Sequence, residues 1–429
     1  MIIAITLEKI TLPNGLRILL QQADFTRCAS FGVWIHAGSR FERPEHAGIS
    51  HFIEHMLFKG TPSRTAADIA AFSDRIGGQL NAYTAREYTC FYAKTLDTHV
   101  TDAFSMLADM ILNSHFDEAD IETEKGIVSE EINMYDDSPE DVCADLLYKG
   151  VWRSSMLGEP ILGSLKSVQA FTKEDILSYR ARTYTPERMV VSICGCFDRD
   201  AFLKEIENTF GRLPARGADT PAVEEDAAPY TPSLITCPRE IEQTHLSLAF
   251  PAFPGQDERI YPLSVLNCAL GASSSSRLFR RLREELGLAY NVYSFTTTYR
   301  TAGIFGVASA VSPAAQAQFL EETCQILDTV RRDGLTGDEV ARAKEQMEAS
   351  IIMGMETTSS RASHAGRSEL IDGQVLPEEQ VIEKLRRVTP EKVAAVAREV
   401  LGESQLSQMS LCAVGPLADD GLYARCTGL

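Results

Sequence analysis

Hydrophobic and polar positions along the chain recur in two similar halves. In the first half an apolar strand, Gly32–Gly38, leads into a helix-like segment, and about 214 residues later the strand Leu246–Ala252 does the same. The segment Phe91–Leu96 matches Ile304–Ser309 at nearly the same offset. Self-similarity at one offset is typical of an internal repeat. The pattern predicts that one unit was duplicated, and chance similarity between two domains of one class is the alternative.

A helical segment and a closing strand repeat in the same way. FTKEDILSYRARTYT (171–185) recurs as VTPEKVAAVAREVLG (388–402), and an apolar strand after each ends in Gly195 or Gly415. The periodicity predicts strand pairs that are grouped apart from long amphipathic helices such as 117–137. This grouping favours an α+β fold. We expect two homologous domains, each an antiparallel-rich sheet with helices packed on one face.

The domain boundary is predicted where the periodicity stops. Residues 217–234 are rich in Pro, Ala and acidic residues and show neither a helical nor a strand period. We expect a domain at 1–216 and a second at 235–429, joined by this linker. The first residues, MIIAITLEKITL, lack the basic start and the long apolar run of a signal peptide and are expected to form a strand.

Composition and charge narrow the function classes. The 429 residues are 44% hydrophobic and 24% charged, which excludes disordered and collagen-like chains. The formal net charge of −19 would repel nucleic acid and anionic membranes and attract cationic peptides. No apolar stretch approaches the ~20 residues of a membrane span. Ten scattered cysteines without a C-x-x-C pair favour a reducing compartment, so we expect a cytoplasmic protein.

The residues that differ between the halves indicate metal chemistry. His51-Phe-Ile-Glu54-His55 lies in a predicted helix, where residues four apart share a face, so both imidazoles can reach one ion. Glu54 would lie near an open coordination position. The second half lacks this donor set, because its corresponding positions hold Ser264, Asn267 and Cys268.

A metal at this place needs a third ligand, and we expect an acid from another helix. Glu124 and Glu131 are seven positions apart and share one helical face with apolar residues. Carboxylates on such a stripe are costly unless a charge or a metal partners them. The predicted helix 117–137 therefore supplies the candidates.

The order H-x-x-E-H is the inverzincin motif. Over essentially its whole length, the chain resembles the pitrilysin/insulinase-type zinc metallopeptidases, in particular their short processing-peptidase class. The resemblance implies one Zn²⁺ per chain, held by His51, His55 and Glu131. It also implies that Glu54 is the general base and that Glu124 supports the site. Glu130 is the rival third ligand, but its helical phase does not match that of Glu124.

Other segments resemble the substrate-binding parts of the family. Gly77-Gly-Gln-Leu-Asn81-Ala82-Tyr-Thr84 is similar to G-G-x-x-N-A-x-T, an edge strand that receives an extended peptide by strand addition. Arg283 and Tyr290, seven apart, match the Arg and Tyr with which the second domain contacts the substrate. The sequence departs from many relatives by carrying Ser273–Ser276 where they have a run of glycines.

Acidic residues after Glu131 bear on specificity. Asp141 and Asp145 are an i, i+4 pair, ten and fourteen residues beyond Glu131. In processing members of the family, acids at these positions bind an Arg near the cleaved bond. The resemblance therefore implies basic peptides as substrates, and a solvated helix surface is the alternative use of these acids.

Taken together, the resemblance implies a zinc-dependent endopeptidase that hydrolyses short or unfolded peptides held in extended form. Long family members carry four such units and enclose the peptide, so two copies of this chain would be needed to form a chamber. We expect a homodimer, with a heterodimer with a related subunit as the alternative. Two other functions stay open: a non-catalytic core or activating subunit of a peptidase-like complex, and a zinc amidohydrolase for small molecules. The complete donor set favours the peptidase.

Overall fold

A computed structural model describes residues 5–215, 225–402, 408–418 and 420–427. The strands are β1 Leu7–Thr11, β2 Arg17–Gln22, β3 Cys28–Ile35, β4 Gly60–Thr61, β5 Arg64–Thr65, β6 Gln79–Thr84, β7 Thr89–Leu96, β8 Met189–Gly195, β9 Leu234–Pro238, β10 Thr244–Ala252, β11 Ala289–Thr298, β12 Gly303–Val311 and β13 Ser410–Gly415. The helices are α1 Ile49–Met56, α2 Ala66–Arg75, α3 Val100–Asn113, α4 Glu118–Asp136, α5 Pro139–Val151, α6 Leu165–Ala170, α7 Lys173–Thr183, α8 Arg199–Asn208, α9 Ile260–Leu270, α10 Gln316–Asp333, α11 Gly337–Gly354, α12 Thr358–Asp372, α13 Glu378–Arg386, α14 Pro390–Leu401 and α15 Asp420–Thr427.

The chain folds into two compact units, and neither is one continuous stretch of sequence. The first unit comprises Met1–Ile132, Pro160–Glu225 and Gly354–Leu376. The second unit comprises Asn133–Glu159, Asp226–Met353 and Pro377–Leu429. The expected domains, 1–216 and 235–429, therefore account for most of each unit, but α5 and α12 belong to the unit built mainly from the other half.

The first unit is built on a six-stranded sheet with the order β1-β2-β8-β3-β7-β6. Neighbouring strands are antiparallel except for β2 and β8, which run parallel. Helices α1 and α3 pack against this sheet, and their apolar faces join one hydrophobic core with residues such as Phe31 and Phe104. The two rings meet edge to face, with centroids 5.7 Å apart.

The second unit repeats this topology. Its sheet has the order β11-β12-β10-β13-β9, and β9 and β13 form the one parallel pair among its described strands. Strands β12, β10 and β13 take the places that β7, β3 and β8 hold in the first sheet. The closing strands β8 and β13 both end in glycines with positive φ, 134° at Gly195 and 131° at Gly415. The expected α+β architecture with two homologous units is confirmed.

A helix also covers the second face of each sheet, which the sequence did not predict. In the first unit, α12 packs on β3 and β8, where its small residues Ala362 and Ala365 join one buried apolar cluster with Trp34 of β3. In the second unit, α5 packs on β10 and β13. Both faces of the central strands are apolar, so each sheet needs cover on both sides.

The predicted N-terminal strand and the predicted linker both lie partly outside the described residues. The predicted N-terminal strand corresponds to β1, which begins at Leu7, while residues 1–4 lie outside the described residues. Of the linker 217–234, the first part lies outside the described residues, and its last residue, Leu234, begins β9. In the described part of the chain, every helix is too short or too polar to cross a bilayer.

Candidate metal centre

Helix α1 carries the H-x-x-E-H residues on a short, fixed segment. It begins after Gly48, whose φ of 94° is a left-handed conformation that favours glycine. His51 is buried, with 8% of its surface exposed, whereas Glu54 and His55 are partly exposed. The rings of His51 and His55 lie one turn apart, with centroids 4.5 Å from each other. The helical spacing therefore places both imidazoles side by side, as the sequence predicted.

Helix α4 brings the acidic residues to these imidazoles. The Oε2 atom of Glu131 lies 3.6 Å from Nε2 of His51 and 3.5 Å from Nε2 of His55. Glu130, the rival candidate, is exposed at the preceding position of the helix. The structure thus brings Glu131 and the two imidazoles together, with one potential ligand atom from each residue within 4.8 Å of the others.

Glu124, two turns before Glu131 on α4, is the buried neighbour of His55. Its Oε1 accepts a hydrogen bond of 2.7 Å from Nδ1 of His55, and its other oxygen pairs with the ammonium of Lys59. Burial would raise the pKa of Glu124, but the hydrogen bond from His55 and the ion pair with Lys59 outweigh it and lower that pKa. Glu124 is therefore a carboxylate, and it holds the proton of His55 on Nδ1.

Glu54 faces a different partner. Its Oε2 accepts a hydrogen bond of 2.6 Å from the Thr84 hydroxyl at the end of β6. Burial raises the pKa of Glu54 above its usual value, against the effect of the Thr84 hydrogen bond. A carboxylate with a raised pKa, fixed by one hydrogen bond, suits proton transfer near neutral pH.

The donor set fits a divalent metal such as Zn²⁺. Burial, with His55 beside it, lowers the pKa of His51 to about 3, so its imidazole is neutral and can bind a metal. Because Nδ1 of His55 donates to Glu124, Nε2 is the nitrogen that faces the Glu131 carboxylate. Burial lowers the pKa of His55, but the carboxylates of Glu124, Glu131 and Glu54 outweigh it and raise that pKa. Three potential ligand atoms converge here within 4.8 Å, and such a cluster favours a positive charge between them, either a proton on Nε2 of His55 or a metal ion. Two His and one carboxylate are a common ligand set of catalytic zinc.

Strand β6, which carries Asn81 and Ala82, is the edge of the first sheet. Its one partner among the described strands is β7, in which Tyr92 and Phe91 lie opposite Asn81 and Ala82. Asn81 is exposed, and its side-chain oxygen accepts a 2.9 Å hydrogen bond from the backbone N–H of Ala82. Helix α1 packs directly against β6, so this strand edge and the metal centre belong to the same unit.

Arg283 and Tyr290 lie in the second unit and contact each other. The Arg283 guanidinium lies 4.6 Å from the ring centroid of Tyr290 and 4.6 Å from that of Phe279. Arg283 belongs to a π-helical segment, Phe279–Glu285, and Tyr290 is 80% exposed. Arg283 and Tyr290, seven residues apart, therefore form a cation–π pair in the structure.

Asp141 and Asp145 lie on α5, also in the second unit. Asp141 lines a cavity of about 580 Å³ between α5 and strands β10, β11 and β12. Its wall holds a second acid, Glu140, whose Oε1 accepts a 3.1 Å hydrogen bond from the Tyr293 hydroxyl. Asp145 is not among the lining residues.

Three residues at the site were not assigned a role from the sequence. They are Lys59, which pairs with Glu124, Thr84, which donates to Glu54, and Glu42, which contacts the start of α1. Lys59 lies in the turn that follows α1, so helical spacing does not indicate its contact with Glu124. Thr84 and Glu42 act through the tertiary fold, so no local spacing indicates them.

Comparison with known proteins places the chain in a family. Residues 17–165 match the insulinase family (peptidase family M16), and residues 170–347 match the peptidase M16 inactive domain. The chain belongs to peptidase family M16, as the H-x-x-E-H motif had indicated. The inactive-domain match covers the half that lacks the metal-binding residues.

Individual relatives agree with this assignment. The chain is 42% identical over 398 residues to the uncharacterized zinc protease YmxG of Bacillus subtilis, covering 92% of this chain and 96% of that protein. It is 38% identical over 419 residues to an uncharacterized zinc protease of Streptomyces coelicolor, covering 96% and 90%. Its fold is similar to that of a protease from Helicobacter pylori, with a TM-score of 0.89 at 19% identity over 96% of this chain and 100% of the other.

Proposed function

We propose that the protein is a zinc-dependent endopeptidase that cleaves peptides held in extended form. The observation that carries this proposal is the convergence of His51, His55 and Glu131 next to Glu54. The contact between His55 and Glu124 and the contact between Thr84 and Glu54 fix the orientation of these groups. The similarity to zinc proteases of two bacteria supports the metal and the reaction class.

The chain's own groups divide the chemistry between them. Zn²⁺ held by His51, His55 and Glu131 would supply an activated water and polarise the scissile carbonyl. The Glu54 carboxylate accepts the proton of the attacking water and delivers it to the leaving amine. Glu54 is suited to both steps because burial raises its pKa above the usual value, which eases the uptake of a proton by its carboxylate.

The substrate is proposed to bind as an extra strand. The outer edge of β6, at Asn81 and Ala82, is paired with no other described strand and offers backbone groups to an extended peptide next to α1. Arg283 and Tyr290 are proposed to hold a substrate carbonyl, since the guanidinium and the exposed hydroxyl both donate hydrogen bonds. An amidohydrolase for small molecules would have no use for the strand edge.

A preference for basic residues is proposed from the acids of α5. Asp141 and Glu140 line a cavity of about 580 Å³ together with the aromatic residues Tyr148, Tyr293 and Phe295. Acids beside aromatic rings suit a guanidinium or an ammonium group. Asp141→Asn should therefore reduce cleavage next to Arg more than next to neutral residues. Asp145→Asn tests the second acid that the family resemblance implies, which lies outside this cavity. Asp137→Asn, which removes an exposed acid beyond α4, is the matched control.

The assembly is proposed to be a homodimer, because one chain carries two of the four units that enclose a peptide in long family members. Light scattering coupled to gel filtration tests this at micromolar concentration. A mass near 47.3 kDa, that of one chain, would contradict it. A mass near twice that value would support it.

The proposed activity is tested by mass-spectrometric mapping of cleavage in a mixed peptide pool. The wild type should cleave, and a zinc chelator should abolish cleavage. Glu54→Gln should retain zinc but lose hydrolysis, because the amide cannot accept the proton. Glu130→Gln, which changes the exposed neighbour of Glu131, should retain both zinc and activity.

The same experiment separates the alternatives. Substantial turnover by Glu54→Gln would contradict the role of this residue, and cleavage that survives the chelator would contradict the role of zinc. A wild-type chain that binds zinc and cleaves no peptide would favour the non-catalytic subunit. Loss of zinc in Glu130→Gln would transfer the third-ligand role to that residue.

A further inference from the structure

Glu42 is a buried carboxylate that caps the helix carrying the metal-binding histidines. It is 6% exposed. Its Oε2 accepts a 2.7 Å hydrogen bond from the backbone N–H of Gly48, and its Oε1 accepts a 2.8 Å bond from that of Ser50. Gly48, at the start of α1, has no side chain with which to cap the helix. Glu42 therefore satisfies N–H groups that a helix start otherwise leaves free.

This arrangement is costly unless the capped turn must be held in place. Burying a carboxylate without a cation is unfavourable, and none of the ion pairs among the described residues involves Glu42. The two backbone N–H groups and the positive end of the helix dipole are what stabilise the charge. Burial nevertheless dominates and raises the pKa of Glu42 to about 7.

The capped turn is the one that leads into the first histidine. Helix α1 has eight residues, and His51 is its third residue, one position after Ser50. Short helices fray at their first turn unless contacts outside the helix fix it. The C-terminal end is already fixed, because His55 and Lys59 both contact Glu124. Glu42 is the corresponding fixed point at the N-terminal end.

We propose that Glu42 is a positioning residue for the metal centre, which sets the start and the rotation of α1 so that His51 stays beside Glu131. The geometry depends on this rotation, because Nε2 of His51 and Nε2 of His55 lie at nearly equal distances from one Glu131 oxygen, 3.6 and 3.5 Å. A residue in an α-helix turns by about 100° relative to the next, so a frayed first turn would move His51 away while leaving His55 in place. The inference rests on the proposed zinc function.

The test is the zinc affinity of the full chain, measured at pH 8 by competition with a fluorescent zinc chelator. Glu42→Gln places an amide where two N–H donors converge, and we expect its zinc affinity to fall about 10-fold, as for other residues that support metal ligands. Glu42→Asp keeps the charge on a shorter side chain and should give a smaller loss. Circular dichroism shows whether each variant is folded. If Glu42→Gln does not fold, the zinc affinity of Glu42→Asp is the test.

Glu369→Gln is the matched control. Glu369 is a second buried carboxylate of the first unit, 1% exposed, which pairs with Lys9 and Arg17. Its substitution should leave zinc affinity within twofold of the wild type. Wild-type zinc affinity in a folded Glu42 variant would overturn the proposal. Equal losses of zinc affinity in Glu42→Gln and Glu369→Gln would also overturn it, because they would indicate a general destabilisation of the first unit. A wild-type chain that binds no zinc would instead refute the proposed function.

Discussion

The Nδ1 atom of His55 lies 2.7 Å from Oε1 of Glu124, and this contact determines which nitrogen of the imidazole can bind a metal. A carboxylate can only accept, so Nδ1 carries the proton and Nε2 is left as the ligand. The same carboxylate pairs with Lys59, which lies one turn beyond His55. One buried acid on α4 thus orients a ligand on α1 and anchors the end of that helix.

Glu124→Gln should weaken zinc binding while the fold is retained. The amide keeps the shape of the side chain but loses the charge that holds the His55 proton and pairs with Lys59. Partners of this kind contribute roughly 10–100-fold to metal affinity. Chelator competition measures the loss. Glu122→Gln is the control, because Glu122 is an exposed acid of α4 that pairs with Lys125. A comparable loss in this variant would contradict the role of Glu124.

Thr84→Val should lower kcat with little change in KM or zinc content. Valine has nearly the shape of threonine but cannot donate the 2.6 Å hydrogen bond to Glu54. Without it the general base is free to rotate away from the reacting atoms, and we expect kcat to fall about 10-fold, in the range of a misplaced acid–base group. Steady-state kinetics on one cleaved peptide measures kcat and KM separately. Thr84→Ser keeps the hydroxyl and should retain most of kcat, and an equal loss in both variants would refute the argument.

Part of the candidate metal centre could be predicted because the spacing within each helix is local. A spacing of four residues places His51 and His55 on one helical face wherever the helix lies. A spacing of seven does the same for Glu124 and Glu131. The choice of Glu131 as the third ligand came from the family resemblance. The long-range partners of these residues could not be predicted. Thr84 reaches Glu54 from another element, and Glu42 reaches the start of α1 from a preceding turn.

The second helix layer has a signal in the sequence of the central strands. β8 (MVVSICG) and β13 (SLCAVG) are almost continuously apolar, which is typical of strands that are covered on both faces, and all of their residues are buried in the structure. The sequence could not show which helix provides it. Helices α5 and α12 lie far along the chain from most of the strands that they cover, and no periodicity identifies the face against which a helix packs.

Gly366 of α12 permits close packing against Trp34, and its substitution should destabilise the first unit. A Cβ at Gly366 would lie 2.5 Å from the indole ring of Trp34, which is 1% exposed. Overpacking costs about 1–3 kcal/mol and exceeds the gain of up to ~1 kcal/mol from replacing a helical glycine. We expect Gly366→Ala to lower the melting temperature by a few degrees.

Gly126 of α4 provides the opposite case. A Cβ there would meet no atom within 4 Å, so Gly126→Ala should gain helix propensity without strain. Its melting temperature should rise by an amount equivalent to ~0.5–1 kcal/mol. Differential scanning fluorimetry of the two variants compares the same chemical change in two surroundings. A rise in both melting temperatures would show that α12 does not need the glycine.

The pH dependence of stability should report the buried Glu42. Burial raises its pKa from 4.5 to about 7, so the folded state holds this proton more tightly than the unfolded state. The stabilisation from this proton is complete below pH 4.5 and is lost as the pH rises through 7, up to about 3 kcal/mol in all. With zinc removed by a chelator, the wild type should therefore gain melting temperature relative to Glu42→Gln as the pH falls from 8 to 5. Glu42→Asp retains a carboxylate at the same place, so its melting temperature should follow that of the wild type. If the difference in melting temperature between the wild type and Glu42→Gln stays constant from pH 8 to 5, Glu42 does not titrate in this range.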